Sequence, residues 1–483
     1  MAPDSIFHPN KALWAATIFL GMIFLLRAPL AESFWLDETL SSWITSAGAE
    51  EVWHRTLDFQ GQSPLYYEVL WLVRQVFGGS EVALRAPSLL FAGCSLVFLA
   101  RIGSLLFREH AIAPVAVSIL ISADGFQRAA ISARPYALGI ACVFGSVFYL
   151  LQFAKKKRPV DLVLYGSITV IAFYSHYLFA SILLLHVVIA ITYGVLRKSF
   201  AVALSLVCLM LVPGILHLRH LMSRAGELSF AQPPSIAAFF PALVPLPVLV
   251  VGVIALLLAV IWGARWREVK FDRCGALLLG FWIFSPVILF FMASILSGNS
   301  ILVARYWVWQ VGGVGLAFGA VIATISSQHH RTIATVTLLC GLLFRLLTQQ
   351  WQLEDWRNAA HLAQEEAASE IILFSGLIES ESAWLRDSPA VQEYLRAPLS
   401  VYGVTKPTRF VGLTESSSDL EEELVGGSLL VSFRAAKGGH RAPQRFIDEA
   451  TAKGIKVVPI AEGGIVSVYR FVTQRNPGSS DAE

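Results

Sequence analysis

Long apolar runs, each about the length a helix needs to cross a bilayer, recur from residue 12 to residue 348 of this 483-residue chain. A spanning helix takes about 20 largely apolar residues, because backbone groups in hydrocarbon must be satisfied inside the segment. Runs at 12–30, 82–106, 111–127, 136–154, 160–177, 178–196, 199–217, 237–262, 274–296, 306–327 and 332–348 fit, which predicts an α-helical polytopic membrane protein of about eleven spans. Charged residues are 15% of the chain, against roughly 25% in soluble domains, so most of it is expected to be solvated by lipid. The net charge of +3 is spread over short loops, which excludes nucleic acid as a partner. Cys94, Cys142, Cys208, Cys274 and Cys340 all lie in apolar stretches without metal-ligand spacing, so neither redox chemistry nor a disulfide scaffold is expected. No small-x-small cleavage site follows the first run, which reads as a retained helix.

The loops between runs differ in charge. One set holds Arg108, Lys155 to Arg158, Arg197 with Lys198, then Arg265, Arg267, Lys270 and Arg273, and Arg331. The alternate set holds only Arg55, Arg74, Arg128, Arg134, Arg219, Arg224 and Arg305. The positive-inside bias places the first set and the N-terminus in the cytoplasm of a plasma (inner) membrane protein. An odd span count then puts the tail on the periplasmic or extracellular side, with the first loop, 31–81. The expected domains are a transmembrane catalytic domain, 1–348 with loop 31–81 included, a periplasmic α/β domain, 349–475, and a disordered end, 476–483. Within the tail the pattern predicts helices at Trp356 to Ala368, around Val391 to Leu395 and at Phe446 to Ala452. Strands are predicted at Ile371 to Phe374, Leu429 to Phe433, Val457 to Ile460 and Ile465 to Phe471.

In the first loop, Phe34-Trp35-Leu36-Asp37-Glu38-Thr39 sets two adjacent carboxylates among aromatics just past the first span. Asp37 there is suited to act as general base on an acceptor hydroxyl or to help hold a divalent cation. The structural alternative is a helix start, with acids favoured at the N-terminal dipole of a helix through Leu40 to Thr45. Further on, Ser63-Pro64 followed by Leu65, Val69, Leu72 and Val76 predicts an amphipathic helix in the outer interface. Tyr66 and Tyr67 at its start are candidates for binding donor or substrate, the alternative being the commoner role of interfacial anchors.

Trp35-Leu36-Asp37-Glu38, Ser63-Pro64-Leu65-Tyr66-Tyr67, Ala83-Leu84-Arg85-Ala86-Pro87-Ser88 and Ala133-Arg134-Pro135-Tyr136-Ala137 together resemble the GT-C superfamily of membrane glycosyltransferases. More narrowly, the chain resembles the bacterial relatives of protein O-mannosyltransferases and of lipid A aminoarabinose transferases, with motifs over the first 180 residues or so and by architecture beyond. The resemblance implies transfer from a polyprenyl-phosphate-linked sugar to an extracytoplasmic acceptor, as in lipopolysaccharide or other cell-envelope glycan modification. It also implies an essential acid at Asp37, with Glu38 as supporting acid. Two departures stand out: Gln62-Ser63-Pro64 replaces His-Pro or Pro-Pro, and Ser132 replaces a glutamate that many relatives carry. Asp124 is the best substitute for that second acid, its alternative being an i,i+4 pair with Arg128.

A lipid-phosphate donor needs a cationic cradle, and arginine binds two phosphate oxygens at once. Arg305 in Ala304-Arg305-Tyr306-Trp307 resembles the Arg-Tyr pair of relatives, and Arg134 is the second candidate; for both the alternative is snorkelling to the interface. Tyr174-Ser175-His176-Tyr177 resembles a Thr-His-Tyr-like segment, so that His176, like Tyr306, is expected to line the cavity or to be a packing residue. A metal is permitted, with Asp37 and Asp124 as its candidate ligands, but no cluster demands one and no other cofactor is implied. Glu354-Asp355-Trp356-Arg357 resembles the segment that opens the outer domain of relatives, a helix start expected to dock the tail. The rival readings are a transporter or lipid-linked sugar flippase and an inactive scaffold. Polar residues at the outer ends of spans favour chemistry over transport, which places ionisable groups near the midplane.

Overall fold

The computed structural model describes residues 9–60, 62–223, 234–266, 273–298, 300–351, 353–377, 389–411, 428–433, 442–461 and 465–473. The expected disordered end, 476–483, lies outside them, as do Arg224, Arg267 and Lys270. In chain order the helices are α1 (Pro9–Arg27), α2 (Leu36–Thr45), α3 (Ala49–Arg55), α4 (Leu65–Phe77), α5 (Glu81–Leu106), α6 (Ile112–Ile121), α7 (Asp124–Ala130), α8 (Tyr136–Lys156) and α9 (Pro159–Ser175). There follow α10 (Ile182–Thr192), α11 (Lys198–Ser223), α12 (Ile236–Leu243), α13 (Leu246–Ile261), α14 (Arg273–Ser297), α15 (Ala304–Trp307), α16 (Gln310–Ala323), α17 (Gln328–Thr348) and α18 (Trp356–Glu365). The chain divides into two compact units. Met1–Leu30, Gly61–Val69 and Arg85–Gln350 make the first, and Ala31–Gln60, Leu70–Leu84 and Trp351–Glu483 the second. This differs from a single cut after residue 348, because most of the first loop packs into the unit that contains the tail.

The first unit is helical and apolar. Among the described residues five helices are long and apolar enough to cross a membrane singly: Glu81–Leu106, Tyr136–Lys156, Lys198–Leu221, Gly275–Ser297 and Gln328–Thr348. Each of the eleven expected runs falls on helix, but several of those helices are too short to span alone. The run at 237–262 is not one helix. It breaks by 55° between α12 and α13, where Pro245 and Pro247 remove two backbone donors and disfavour helix in the residues before them. The run at 111–127 likewise splits after Ile121 and resumes as α7. Both breaks leave carbonyls needing donors, and a buried glutamine answers each: Gln127 donates to the Ile121 carbonyl at 2.8 Å, and Gln310 donates to that of Leu243.

Small residues let α16 approach α6 closely. A Cβ at Gly315 would lie 2.8 Å from Ala116 Cα and 2.9 Å from its carbonyl oxygen, and one at Gly319 would lie 3.0 Å from Ile112 Cα. This four-residue glycine spacing is the small-xxx-small packing of membrane helices. Because the obstacles are backbone, Gly315→Val is expected to cost about 1–3 kcal/mol, the usual range for overpacking, read as a lower melting temperature of the detergent-solubilised protein.

The second unit holds a five-stranded mixed sheet, with β1 (Ile371–Phe374), β2 (Thr408–Phe410), β3 (Leu429–Phe433), β4 (Ile455–Ala461) and β5 (Val466–Thr473) in the order β2-β1-β3-β5-β4. β1 runs parallel to β2 and β3, while β5 is antiparallel to β3 and β4. Four strands fall where the sequence pattern puts them, and β2 is additional. All of β1 is buried, and Ile372, Phe374, Leu430, Tyr469 and Phe471 form a core with Phe446 and Ala450 of the helix Ala442–Ala452. The edge strands are a three-residue β2 and a β4 carrying Lys456 and Pro459, features that discourage further strand pairing. In the same unit Trp43 of α2 meets Phe59 and Tyr394 edge-on, each with ring centroids 5.7 Å away. The Arg55 guanidinium lies 4.1 Å over the Trp43 ring.

Candidate active site

Residues far apart in sequence converge in the first unit around the ring of Tyr136. The Arg305 guanidinium carbon is 5.4 Å from that ring centroid and that of Arg134 is 5.9 Å, so two cations share one aromatic face system. Arg305 also stands 5.5 Å over Tyr306, and the His176 ring is 4.9 Å from Tyr306 and 5.6 Å from Tyr136. Arg134 is 3% exposed and donates to the Tyr67 hydroxyl at 3.1 Å. Holding a guanidinium that deep is costly without polar partners, and the Tyr67 hydroxyl supplies one.

Tyr66 and Tyr67 do not sit as interfacial anchors: both are fully buried, and the Tyr66 hydroxyl bonds Ser88 Oγ at 2.9 Å. The helix α4 starts where Ser63-Pro64 predicts, with Leu72 and Val76 of its expected apolar face exposed and the tyrosines turned inward. His176 has a local structural task as well, since its Nδ1 accepts the Leu178 N–H at 3.3 Å at the start of the short 3₁₀ turn Tyr177–Ser181. Asp124 is exposed and pairs with Arg345, whose guanidinium also donates to the Ser122 carbonyl, so its ion-pair partner comes from α17. Asp124 is not among the residues gathered around Tyr136.

The acids of the first loop belong to the second unit. α2 forms as the helix-start reading expects, with Asp37 and Glu38 in its first turn. Glu38 is 1% exposed and turns back to accept the Trp35 N–H at 3.0 Å, one arm of a capping box. Nine of the ten residues of α2 are buried, and the exception is Asp37.

Sequence reasoning singled out Glu354 only as part of a docking helix. In the structure its Oε2 accepts the Leu36 N–H at 2.6 Å and the Trp356 indole N–H at 3.0 Å. Burial pushes the Glu354 carboxyl up to about 7, its two hydrogen bonds oppose that, and the Asp37 and Glu38 charges add to it. A carboxyl raised from 4.5 to about 7 on folding binds more protons in the native state across that interval. Its stabilising contribution is therefore complete below 4.5 and lost as pH rises through about 7. Melting temperature is expected to fall over this window, and Glu354→Gln is expected to flatten the fall.

Two further residues escaped selection although their motifs were visible. Arg85, 1% exposed, donates through Nη1 to the carbonyls of Pro29 and Leu30, both at 2.9 Å, and so fixes the point where the first loop leaves α1. Tyr136, two positions after Arg134, is the ring on which the cation cluster is built.

The family model described as dolichyl-phosphate-mannose-protein mannosyltransferase matches residues 61–217. No curated protein matches the chain in sequence. Among solved structures, ArnT from Cupriavidus metallidurans is similar in its apo state and bound to undecaprenyl phosphate. Each match has a TM-score of 0.53 and 12% identity over 96% of this chain and 98% of that one. The apo oligosaccharyltransferase of Archaeoglobus fulgidus matches with a TM-score of 0.50 and 9% identity over 96% of this chain and 75% of that one. With a mannosyltransferase-type segment at residues 61–217 and this overall likeness, the chain has the fold of the GT-C superfamily of membrane glycosyltransferases.

Proposed function

We propose that this protein is an inverting membrane glycosyltransferase that moves a sugar from a polyprenyl-phosphate donor to a hydroxyl of an extracytoplasmic lipid, glycan or protein. The observation that carries the reading is the treatment of the paired acids: Glu38 is consumed by helix capping while Asp37 alone of α2 keeps solvent access. In the proposed reaction the Asp37 carboxylate takes the acceptor proton, and the acceptor oxygen bonds to the anomeric carbon. The bond from that carbon to phosphate breaks, its electron pair leaving with the polyprenyl phosphate. Phosphate is already a good leaving group, so the protein mainly supplies a base, alignment and an electrostatic cradle.

Arg305 and Arg134 are the proposed cradle, with Tyr136, Tyr306 and His176 packed about them and Tyr67 orienting Arg134. Capture of undecaprenyl phosphate by the ArnT of similar fold supports a lipid-phosphate donor. Among the described residues no group of three or more His, Cys, Asp or Glu side chains is arranged to hold a metal ion, and the steps above route nothing through one. The scaffold is proposed to be a bundle of about eleven spans, shorter helices included, with a cytoplasmic N-terminus and the site on the outer side. The decisive experiment is transfer of labelled sugar from a polyprenyl-phosphate donor in membranes bearing wild-type or Asp37→Asn protein. Loss of transfer supports the reading and retention overturns it, while labelled donor crossing the bilayer without glycosyl product would favour a flippase.

A further inference from the structure

The first turn of α2 is held from outside its own sequence neighbourhood. A ten-residue helix is marginal alone, and its first N–H groups need acceptors. Leu36, the residue before Asp37, gives its N–H to Glu354, whose same oxygen takes the indole N–H of the fully buried Trp356. The segment leading into α2 is pinned in the same manner. Arg357 gives its backbone N–H to Ser33 Oγ at 3.0 Å, and its Nη2 donates to the Ala31 carbonyl at 2.9 Å and to Glu81 Oε1 at 2.5 Å. The Tyr402 hydroxyl accepts the Phe34 N–H at 2.8 Å and donates to Glu81 at 3.0 Å. Three residues of the tail, Glu354, Arg357 and Tyr402, thus bond the backbone or side chains of Ala31, Ser33, Phe34 and Leu36, all within one compact unit.

We propose that Glu354 is a positioning residue for Asp37, and that the tail is thereby a working part of the transferase and not an appended binding module. This deepens the reading of Asp37 as base and rests on it. Glu354 acts as a hydrogen-bond acceptor: one oxygen joins the N-terminal turn of α2 to the buried start of α18, and so sets where the Asp37 side chain projects. A misplacement of about 1 Å at a reacting group costs roughly 10²-fold in rate.

The test measures apparent kcat and KM on the full-length protein in detergent, with the radiolabelled polyprenyl-phosphate sugar fraction extracted from source membranes as donor. Glu354→Ala is expected to lower kcat about 10²-fold while donor KM moves less than about 3-fold. Glu354→Gln, which retains an acceptor oxygen, is expected to restore kcat to within about 5-fold of wild type. Tyr402→Phe, which removes the acceptor for Phe34, is expected to lower kcat in the same direction and decides the matter should the alanine variant fail to fold. Wild-type kcat in Glu354→Ala, or in Tyr402→Phe where that variant decides, overturns the proposal, as does a glutamine variant no better than alanine. Asp37→Asn in the same assay separates the two failures. If it is inactive while Glu354→Ala is fully active, only the positioning role falls, and if it is active, the reading of Asp37 falls first.

Discussion

Asp37→Asn is expected to lower sugar transfer by about 10²–10⁴-fold, the usual worth of a positioned general base. Asparagine matches aspartate in shape and is itself tolerated at helix starts, so the fold should survive. The acid's interaction with the helix dipole is worth only about 0.3–1 kcal/mol at an accessible position. Such a loss cannot unfold a helix whose other nine residues are buried and whose Trp43 is packed against Phe59 and Tyr394. A collapse of transfer with unchanged melting would therefore report chemistry. Transfer by Asp37→Asn at the wild-type rate would mean that the acceptor loses its proton to something else, and Asp37 would revert to a helix-dipole residue.

Arg305→Ala is expected to lower kcat/KM by roughly 10²-fold, mainly through a higher KM for the lipid-phosphate donor. A charge-assisted hydrogen bond is worth about 1.5–3 kcal/mol, and each 1.4 kcal/mol is a factor of about ten. Arg305→Lys keeps the charge and loses the fork, so it should fall between wild type and alanine. Arg134→Ala should weaken donor binding too, but with a loss of stability, because it removes a hydrogen-bond donor from the buried Tyr67 hydroxyl and leaves a cavity. Initial rates over a donor titration separate these effects. An unchanged donor KM in Arg305→Ala would rule out the cradle and leave Arg305 a cation stacked on tyrosines for packing alone.

The legible parts of this protein are those set by local pattern. Long apolar runs marked the helices, short apolar and β-branched runs marked β1, β3, β4 and β5, and Ser63-Pro64 marked the start of α4. The three-residue β2 carries too short a pattern to announce itself, since its place comes from the register of Ile371 on Thr408. The break at Pro245 was written in the chain, but the length and apolarity of 237–262 outweighed two prolines. Partners distant in sequence stayed hidden. Asp124 and Arg345 are 221 positions apart, and Leu36 and Glu354 are 318. Sequence motifs drew attention to Arg134, His176, Arg305 and Tyr306 one by one, and only coordinates show that they surround one ring, that of Tyr136.

The proline break between α12 and α13 bears on how the chain is made. At about 1.5 Å per residue, helices of 8 and 16 residues reach about 12 and 24 Å, each short of a hydrocarbon core of about 30 Å. The donor that satisfies the Leu243 carbonyl, Gln310, is synthesised 67 residues later. Until α16 has been made, the Leu243 carbonyl lacks the donor it has in the folded chain. The fold thus ties the packing of α12 and α13 to a helix encoded downstream, and their final settling is expected to wait for it.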